Sequence, residues 1–236
     1  MERTENKFIN VTFSLNNLDN YFIRHSIFCA LKNNLPLFQG KLLDVGCGKM
    51  PYKDYILNNS SVEKYYGLDI ETAIEYDKDV KPDFFWNGRE MPFDNNTYDT
   101  VILTEVLEHC PNPLATLKEI NRVMKPNGTI FFTVPFLWPL HEMPHDYYRY
   151  TPTALQLLLE ESKFTSIIIS ASGGWDASLA QMLGLWVRRS NLSMKKKKYF
   201  SFLFKPIISY LLKRGNTQTN FREGLMVTSL YGTAKK

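Results

Sequence analysis

The stretch KLLDVGCGKMPY, Lys41 to Tyr52, decides how this chain is read. Apolar residues run into an acidic residue, Asp44, and then into a turn on Gly46 and Gly48. An apolar run that ends in a glycine-rich turn reads as a buried strand leaving a sheet and handing over to a helix. Glycines there let the backbone come close to a ligand at angles other side chains forbid. In a doubly wound sheet, the carboxyl end of such a strand is where a nucleotide-like ligand is expected.

The spacing of the glycines narrows the ligand. A dinucleotide fingerprint needs a glycine where this chain has Pro51, and it seats a pyrophosphate on the helix that follows. Asp44 would set a carboxylate beside that phosphate, so the turn suits a cationic ligand or an amino group instead. With LLDVGCG as it stands, the stretch resembles the first motif of the class I S-adenosylmethionine-dependent methyltransferases, in which the acid and the glycines surround the methionine part of the cofactor. The family's third glycine is replaced here by Met50. The resemblance implies cofactor contacts at Asp44, Gly46, Cys47 and Gly48. An ordinary strand-to-helix turn is the plain alternative.

Later segments fit the same frame. KYYGLDI, Lys64 to Ile70, reads as a second strand ending in Asp69, 25 residues past Asp44. A carboxylate offers two acceptor oxygens to the two donors of a ribose diol, and the resemblance assigns that role to Asp69 and the adenine side to Ile70. DFFWNG, Asp83 to Gly88, reads as a third strand with Asn87 as a neutral partner for the adenine amino group. The succession MPF, a turn at Asp94 to Asn96, YD, an apolar strand from Thr100 to Thr104 and VLEHCPNP resembles small-molecule members of the family. It puts backbone near Thr104 against the cofactor, and Asp99, at the strand entrance, reads as structural rather than catalytic. Pro113 to Met124 carries helical spacing, Lys125 to Gly128 reads as a stop and turn, and Thr129 to Val134 as a buried strand. The resemblance spans roughly Lys41 to Phe164.

PFLWPLHEMPHDYYRYT, Pro135 to Thr151, is the segment richest in chemistry. Its prolines argue against a continuous helix, and loops after strands carry function in open α/β folds. Methyl transfer depends on aligning nucleophile and methyl group, and a hydroxyl acceptor also needs a base. A histidine with a neighbouring carboxylate supplies one near neutral pH. His145 is the first candidate base, His141 the second, with Asp146 as the carboxylate. Arg149 could hold a phosphate or carboxylate on the acceptor, and Tyr148 and Trp138 could stack on rings. A metal would need a third ligand cluster away from His141, His145 and Asp146, and none is legible, so no metal is expected. A polar knot that merely shapes the pocket is the alternative. The loop also resembles a signature of bacterial methyltransferases of surface-polysaccharide clusters, which points to a sugar or lipid-linked sugar acceptor.

The chain has 236 residues, enough for one well-buried domain with an appendage, and a net charge of +4. Its three cysteines have no metal-type spacing and fit a reducing compartment. The first ten residues lack the apolar core of a signal peptide, and no apolar run approaches the ~18 residues of a spanning helix. A cytoplasmic protein is expected, with the inner face of the membrane as a second location. Between Arg188 and Arg222 lie ten basic residues and no acidic one, so the remainder carries −6. Four lysines there precede YFSFLFKPIISYLLKR, a mix suited to an anionic membrane surface or to a helical cap or dimer contact. The charge is local and without a recognition motif, which argues against nucleic acid.

The expected architecture is a Rossmann-like α/β fold, a doubly wound seven-stranded sheet, mostly parallel with an antiparallel last strand at Gly224 to Tyr231. The expected boundaries are a helical lead-in over 1–40, a core over 41–187, a basic helical insertion over 188–222, and the last strand within 223–236. The expected function is O-methylation of a small-molecule or glycan-type acceptor. A quinone-like or nitrogen acceptor is the alternative within the enzyme class, and a non-catalytic S-adenosylmethionine-binding protein the alternative outside it.

Overall fold

The computed structural model describes residues 7–71, 80–215 and 221–236. The start of the lead-in and residues 216–220 of the basic segment lie outside the described residues. In chain order the elements are α1 (Tyr21–Asn34), β1 (Gln39–Val45), α2 (Lys53–Asn59), β2 (Ser61–Ile70), β3 (Phe84–Trp86), β4 (Tyr98–Thr104), α3 (Pro113–Val123) and β5 (Met124–Pro135). They continue as α4 (Pro152–Glu161), β6 (Thr165–Ser172), α5 (Trp175–Arg189), α6 (Met194–Arg214) and β7 (Ser229–Lys235).

The seven strands lie in the order β3-β2-β1-β4-β5-β7-β6. The pairs β1–β2, β1–β4, β2–β3 and β4–β5 are all parallel. Their middles are apolar and sealed on both faces, as parallel strands covered by helices must be: Leu42, Leu43, Val101, Ile102, Ile130 and Phe131 are all fully buried. β7 runs the other way. Asn127 N, near the start of β5, donates to Lys236 O, whereas Phe136 N, just past its end, donates to Thr228 O. The seven-stranded, mostly parallel sheet with an antiparallel last strand is thus as the sequence led one to expect.

Some boundaries shift. The last strand forms at Ser229–Lys235 and not at Gly224 to Tyr231. Two terminal lysines look like a solvated tail, yet Lys235 Nζ donates to Thr129 Oγ1 (2.7 Å) and Lys236 Nζ to Met124 O (2.8 Å), which ties the end of the chain to β5. The expected turn at Lys125 to Gly128 is absorbed into β5 as an irregularity in its pairing with β4, with Asn127 at φ 63°. Asp99 is structural: it accepts from Lys41 N (2.9 Å) and pairs with Lys125 (2.9 Å), pinning β1, β4 and β5 together.

The chain divides into two compact units. One, the sheet unit, holds Leu31–Pro135, Leu140–Ile169 and Tyr231–Lys236. The other, the helical unit, holds Phe136–Pro139, Ser170–Leu230 and the described part of Met1–Ala30. In the helical unit α5 and α6 pack together around Leu18, Ala180, Val187 and Ile208. Phe200, Phe204, Ile208 and Leu211 form one helical stripe on α6 that turns into this core. The segment before α1 is clamped to α5: Asp19 accepts from Arg189 Nε (2.9 Å), and Gln181 donates to the Asp19 carbonyl. Gly184 makes the clamp fit, because a Cβ there would lie 2.0 Å from the Leu18 carbonyl oxygen.

A backbone carbonyl cannot swing aside as a side-chain tip can. Gly184→Ala is therefore expected to cost about 1–3 kcal/mol in denaturant unfolding. Unchanged stability in that variant would mean that α5 does not seat on Leu18.

Candidate functional site

The glycine turn sits at the carboxyl end of β1. Gly46 N and Cys47 N both donate to Leu68 O of β2, at 2.8 and 3.2 Å. Gly46 has φ 69°, and a Cβ on it would lie 2.4 Å from Val106 Cγ2, so the position tolerates no side chain. Met50, in place of the third glycine, itself adopts φ 48°. Its sulfur and that of Cys47 fill the space over Gly67 of β2. Cys47 is thereby buried, and burial pushes its thiol pKa upward.

Two carboxylates flank the turn. Asp69 accepts from Gly48 N (3.0 Å) and from Ile70 N (2.8 Å), which fixes its orientation and leaves each oxygen further acceptor capacity. Burial raises its pKa, against those two amides. Asp44 is 2% exposed; its Oδ2 accepts from the Tyr65 hydroxyl, and its Oδ1 has no hydrogen-bond partner among the described residues. Burial pushes its carboxyl up to about 7, with Asp69 adding to the rise and Tyr65 and Lys53 opposing it. An acidic site with an orphaned oxygen fits a ligand bearing positive charge and N–H donors.

The remaining cofactor candidates divide. Ile70 is 38% exposed beside Asp69. Thr104 closes β4 opposite Thr133. Asn87 is already engaged, its Oδ1 accepting from Arg89 N (2.9 Å) and Glu90 N (3.1 Å) to cap the turn after β3. The atom expected to meet an adenine amino group is the one so occupied.

After Thr104 the sheet unit gathers a second set of ionisable groups. Glu105 takes φ 54°, its N donates to Thr133 O (3.1 Å), and the Thr133 hydroxyl donates to its Oε1 (2.8 Å). Burial raises the Glu105 carboxyl to about 7, with Thr133 and Arg149 opposing. Glu108 is wholly buried, neither of its oxygens accepts a hydrogen bond among the described residues, and burial raises its pKa well above the usual range. The polar loop folds onto this turn: Tyr147 N and Tyr148 N donate to Glu108 O (2.9 and 3.2 Å), and His109 Nδ1 meets the His145 carbonyl at 2.7 Å.

Within the loop, Asp146 is the hub. It takes two hydrogen bonds from Arg149 (2.6 and 2.9 Å) and one from His141 N (3.1 Å), and lies 3.4 Å from His141 Nδ1. Arg149 holds its carboxyl down at about 2. The carboxylate expected beside His145 thus stands beside His141, and the guanidinium expected to clamp an acceptor is paired to Asp146. His145 Nδ1 lies 3.2 Å from the Tyr147 hydroxyl. Tyr148 stacks on Tyr150 and donates to Pro111 O (3.3 Å). Trp138, in the helical unit, lies under the Arg189 guanidinium at 4.9 Å. Glu142 is near enough to Asp69 to raise its pKa, which links the loop to the glycine turn. Glu105, Glu108 and His109 are not among the site residues that the sequence singles out. The one signal was a pair of acids in an otherwise apolar run, TEVLEHC.

Comparison with known proteins finds likenesses to methyltransferases. Residues 43–132 match the family model described as a methyltransferase domain. The ubiquinone biosynthesis O-methyltransferase of Aliivibrio fischeri is 30% identical over 117 residues, 44% of this chain and 47% of that protein. The cycloartenol-C-24-methyltransferase of Arabidopsis thaliana is 34% identical over 116 residues, 44% of this chain and 33% of that one. The chain thus spans about half the length of these curated relatives, or less. A SAM-dependent methyltransferase from Archaeoglobus fulgidus superposes with a TM-score of 0.56 at 20% identity, covering 92% of this chain and all of that one.

The Asp44 pKa near 7 against the ordinary 3.8 means that, without ligand, the folded chain binds more protons here than the unfolded chain does between those values. Stability from this group therefore falls as pH rises through that window, and the cost is complete above about 7. Asp44→Asn removes the charge and keeps an acceptor for Tyr65. It should match the parent near pH 4 and exceed it at pH 8 by a few kcal/mol, on the order of 1.4 per pKa unit, in denaturant unfolding of the ligand-free protein. A gap that does not grow with pH would show that Asp44 is not buried as a charge.

Proposed function

Since residues 43–132 carry a methyltransferase domain on a class I methyltransferase fold, we propose that the protein transfers the methyl group of S-adenosylmethionine to a hydroxyl of a small-molecule or sugar-type acceptor. The observation that carries this reading is the orphaned Asp44 oxygen beside the oriented Asp69, at a glycine turn with no room for a side chain. Asp69 would hold the ribose diol with the acceptor capacity left on its two oxygens. Asp44 would take the amino end of the cofactor, and Gly46, Cys47 and Gly48 would bring backbone against it. Ile70 would lie along the adenine, and Thr104 would border the methyl-bearing side.

The cofactor supplies an electrophilic methyl carbon on a sulfonium. The chain has to align an oxygen with that carbon and remove its proton as the carbon–sulfur bond breaks. His145 is our candidate base, its backbone tied to His109 and its ring held by Tyr147. His141, with Asp146 beside it, is the second. The Asp146–Arg149 pair would keep the loop in shape, and Tyr148 would offer ring surface to an acceptor.

A sugar or lipid-linked sugar suits this loop of tyrosines and ionisable groups. It would also give a reason for the outer side of α6, where Tyr199, Phe202, Ile207 and Tyr210 are exposed next to Lys195 to Lys198 and suit an anionic membrane surface. No described helix is long and apolar enough to cross a membrane. A quinol-type ring is the second reading, favoured by the name of the Aliivibrio relative.

Methyl-labelled S-adenosylmethionine, supplied with cell extract and then fractionated into lipid, glycan, protein and nucleic acid, should label glycan or glycolipid. Label in quinones resolved from the lipid fraction would replace the sugar reading, and no label despite cofactor binding would favour a non-catalytic binder. Asp69→Ala should weaken S-adenosylhomocysteine binding at least about tenfold by calorimetry, as expected when a charged hydrogen-bond acceptor is lost. His145→Ala should lower turnover by about a hundredfold or more and leave that affinity unchanged. Full turnover in His145→Ala would remove it as the base.

A further inference from the structure

We propose that Glu108, His109 and His141 form a binding site for a divalent transition cation. One donor atom from each lies within 4.8 Å of the others. Glu108 brings an independent reason to expect a ligand: it is wholly buried, and neither carboxylate oxygen accepts a hydrogen bond among the described residues. Leaving such a group unsatisfied destabilises the fold, and a cation would offset that cost.

The neighbouring groups are arranged as metal ligands usually are. His109 Nδ1 lies 2.7 Å from the His145 carbonyl, which can only accept, so Nδ1 donates there and Nε2 is the nitrogen that offers a lone pair in the neutral ring. That Nε2 stands 3.7 Å from Glu108 Oε1 and 3.8 Å from Glu142 Oε2, which places a fourth donor at the edge of the site. His141 meets His109 edge to face at 4.7 Å, and Asp146 stands 3.4 Å from its Nδ1, able to orient the ring from outside the site. The side chains of His109 and Glu142 are 18% and 35% exposed, so an ion has a way in. Two imidazoles with carboxylate oxygen suit Zn²⁺, Mn²⁺, Fe²⁺ or Co²⁺ better than the all-oxygen preference of Mg²⁺ or Ca²⁺. The separate ligand cluster missing from the sequence reading is the Glu108-His109 turn, onto which the loop folds.

This deepens the reading above and rests on it for its role. An ion here would bind the acceptor hydroxyl and lower its pKa. The hydroxyl proton then passes to His145, the oxygen forms a bond to the methyl carbon, and the carbon–sulfur bond breaks to leave neutral S-adenosylhomocysteine.

The binding test needs neither acceptor nor methyl donor. The tag-free full chain, stripped with chelator, is titrated with Co²⁺ and followed by visible absorption and equilibrium dialysis. One Co²⁺ per chain with ligand-field bands is expected, together with a rise in melting temperature. His141→Asn and Glu108→Gln should each weaken binding at least about tenfold, the scale on which even outer groups of a metal site act. His141→Asn keeps the test open should Glu108→Gln fail to fold. Loss of Co²⁺ binding in His141→Asn upholds the site even if the labelling experiment finds no transfer. Co²⁺ uptake in His141→Asn equal to that of the parent, or none in the parent at millimolar Co²⁺, overturns the site and leaves methyl transfer to stand on its own test.

Discussion

The Leu68 carbonyl organises the sheet unit's ligand end. By accepting both Gly46 N and Cys47 N, it bends the chain after β1 across the end of β2, which only the left-handed Gly46 under Val106 permits. The parallel register that sets Asp44 opposite Gly67 puts Asp69 two residues further on, beside the turn. Gly48 N then closes onto Asp69. One short piece of backbone therefore decides the positions of both carboxylates, and no side chain could perform that job.

The cost of this arrangement is electrostatic. Asp44, Asp69, Glu105 and Glu108 are all raised in pKa by burial in one unit. Arg149 lies within reach of both glutamates, and its guanidinium already donates to Asp146 and to the Tyr148 carbonyl. Proteins rarely keep unpaired buried carboxylates without a use for them. A cationic cofactor at the first pair and a cation at the second would answer the same imbalance.

How much of this the sequence makes visible depends on the range of the interaction. Asp44, Gly46, Gly48 and Asp69 stand out because strand register and backbone angles constrain them locally, and such constraints leave fixed spacings. The Asp146–Arg149 pair hides because His141, His145 and Arg149 are equally available partners until prolines and backbone bonds to Glu108 set the loop's path. Glu108 and His109 read as an ordinary helix start, since nothing in LEH announces that a loop about 36 residues later will bury it. The shifted last strand fails for the same reason: the bonds of Lys235 and Lys236 to β5 span more than a hundred residues.

The helical unit follows a different logic. Asp19, itself buried, ties the segment before α1 to Arg189, while the contact beneath them is backbone against a glycine. α6 spends one stripe on that packing and leaves Tyr199, Phe202, Ile207 and Tyr210 outside. Four adjacent lysines at its start would repel one another on a helix meant only as a cap, with no acidic residue in its first turn to relieve them. An anionic surface of the kind proposed above would relieve both problems together, covering the rings and neutralising the lysines. The same argument would give the basic segment a partner of opposite charge without calling on nucleic acid, for which the described residues of the unit offer no reading element.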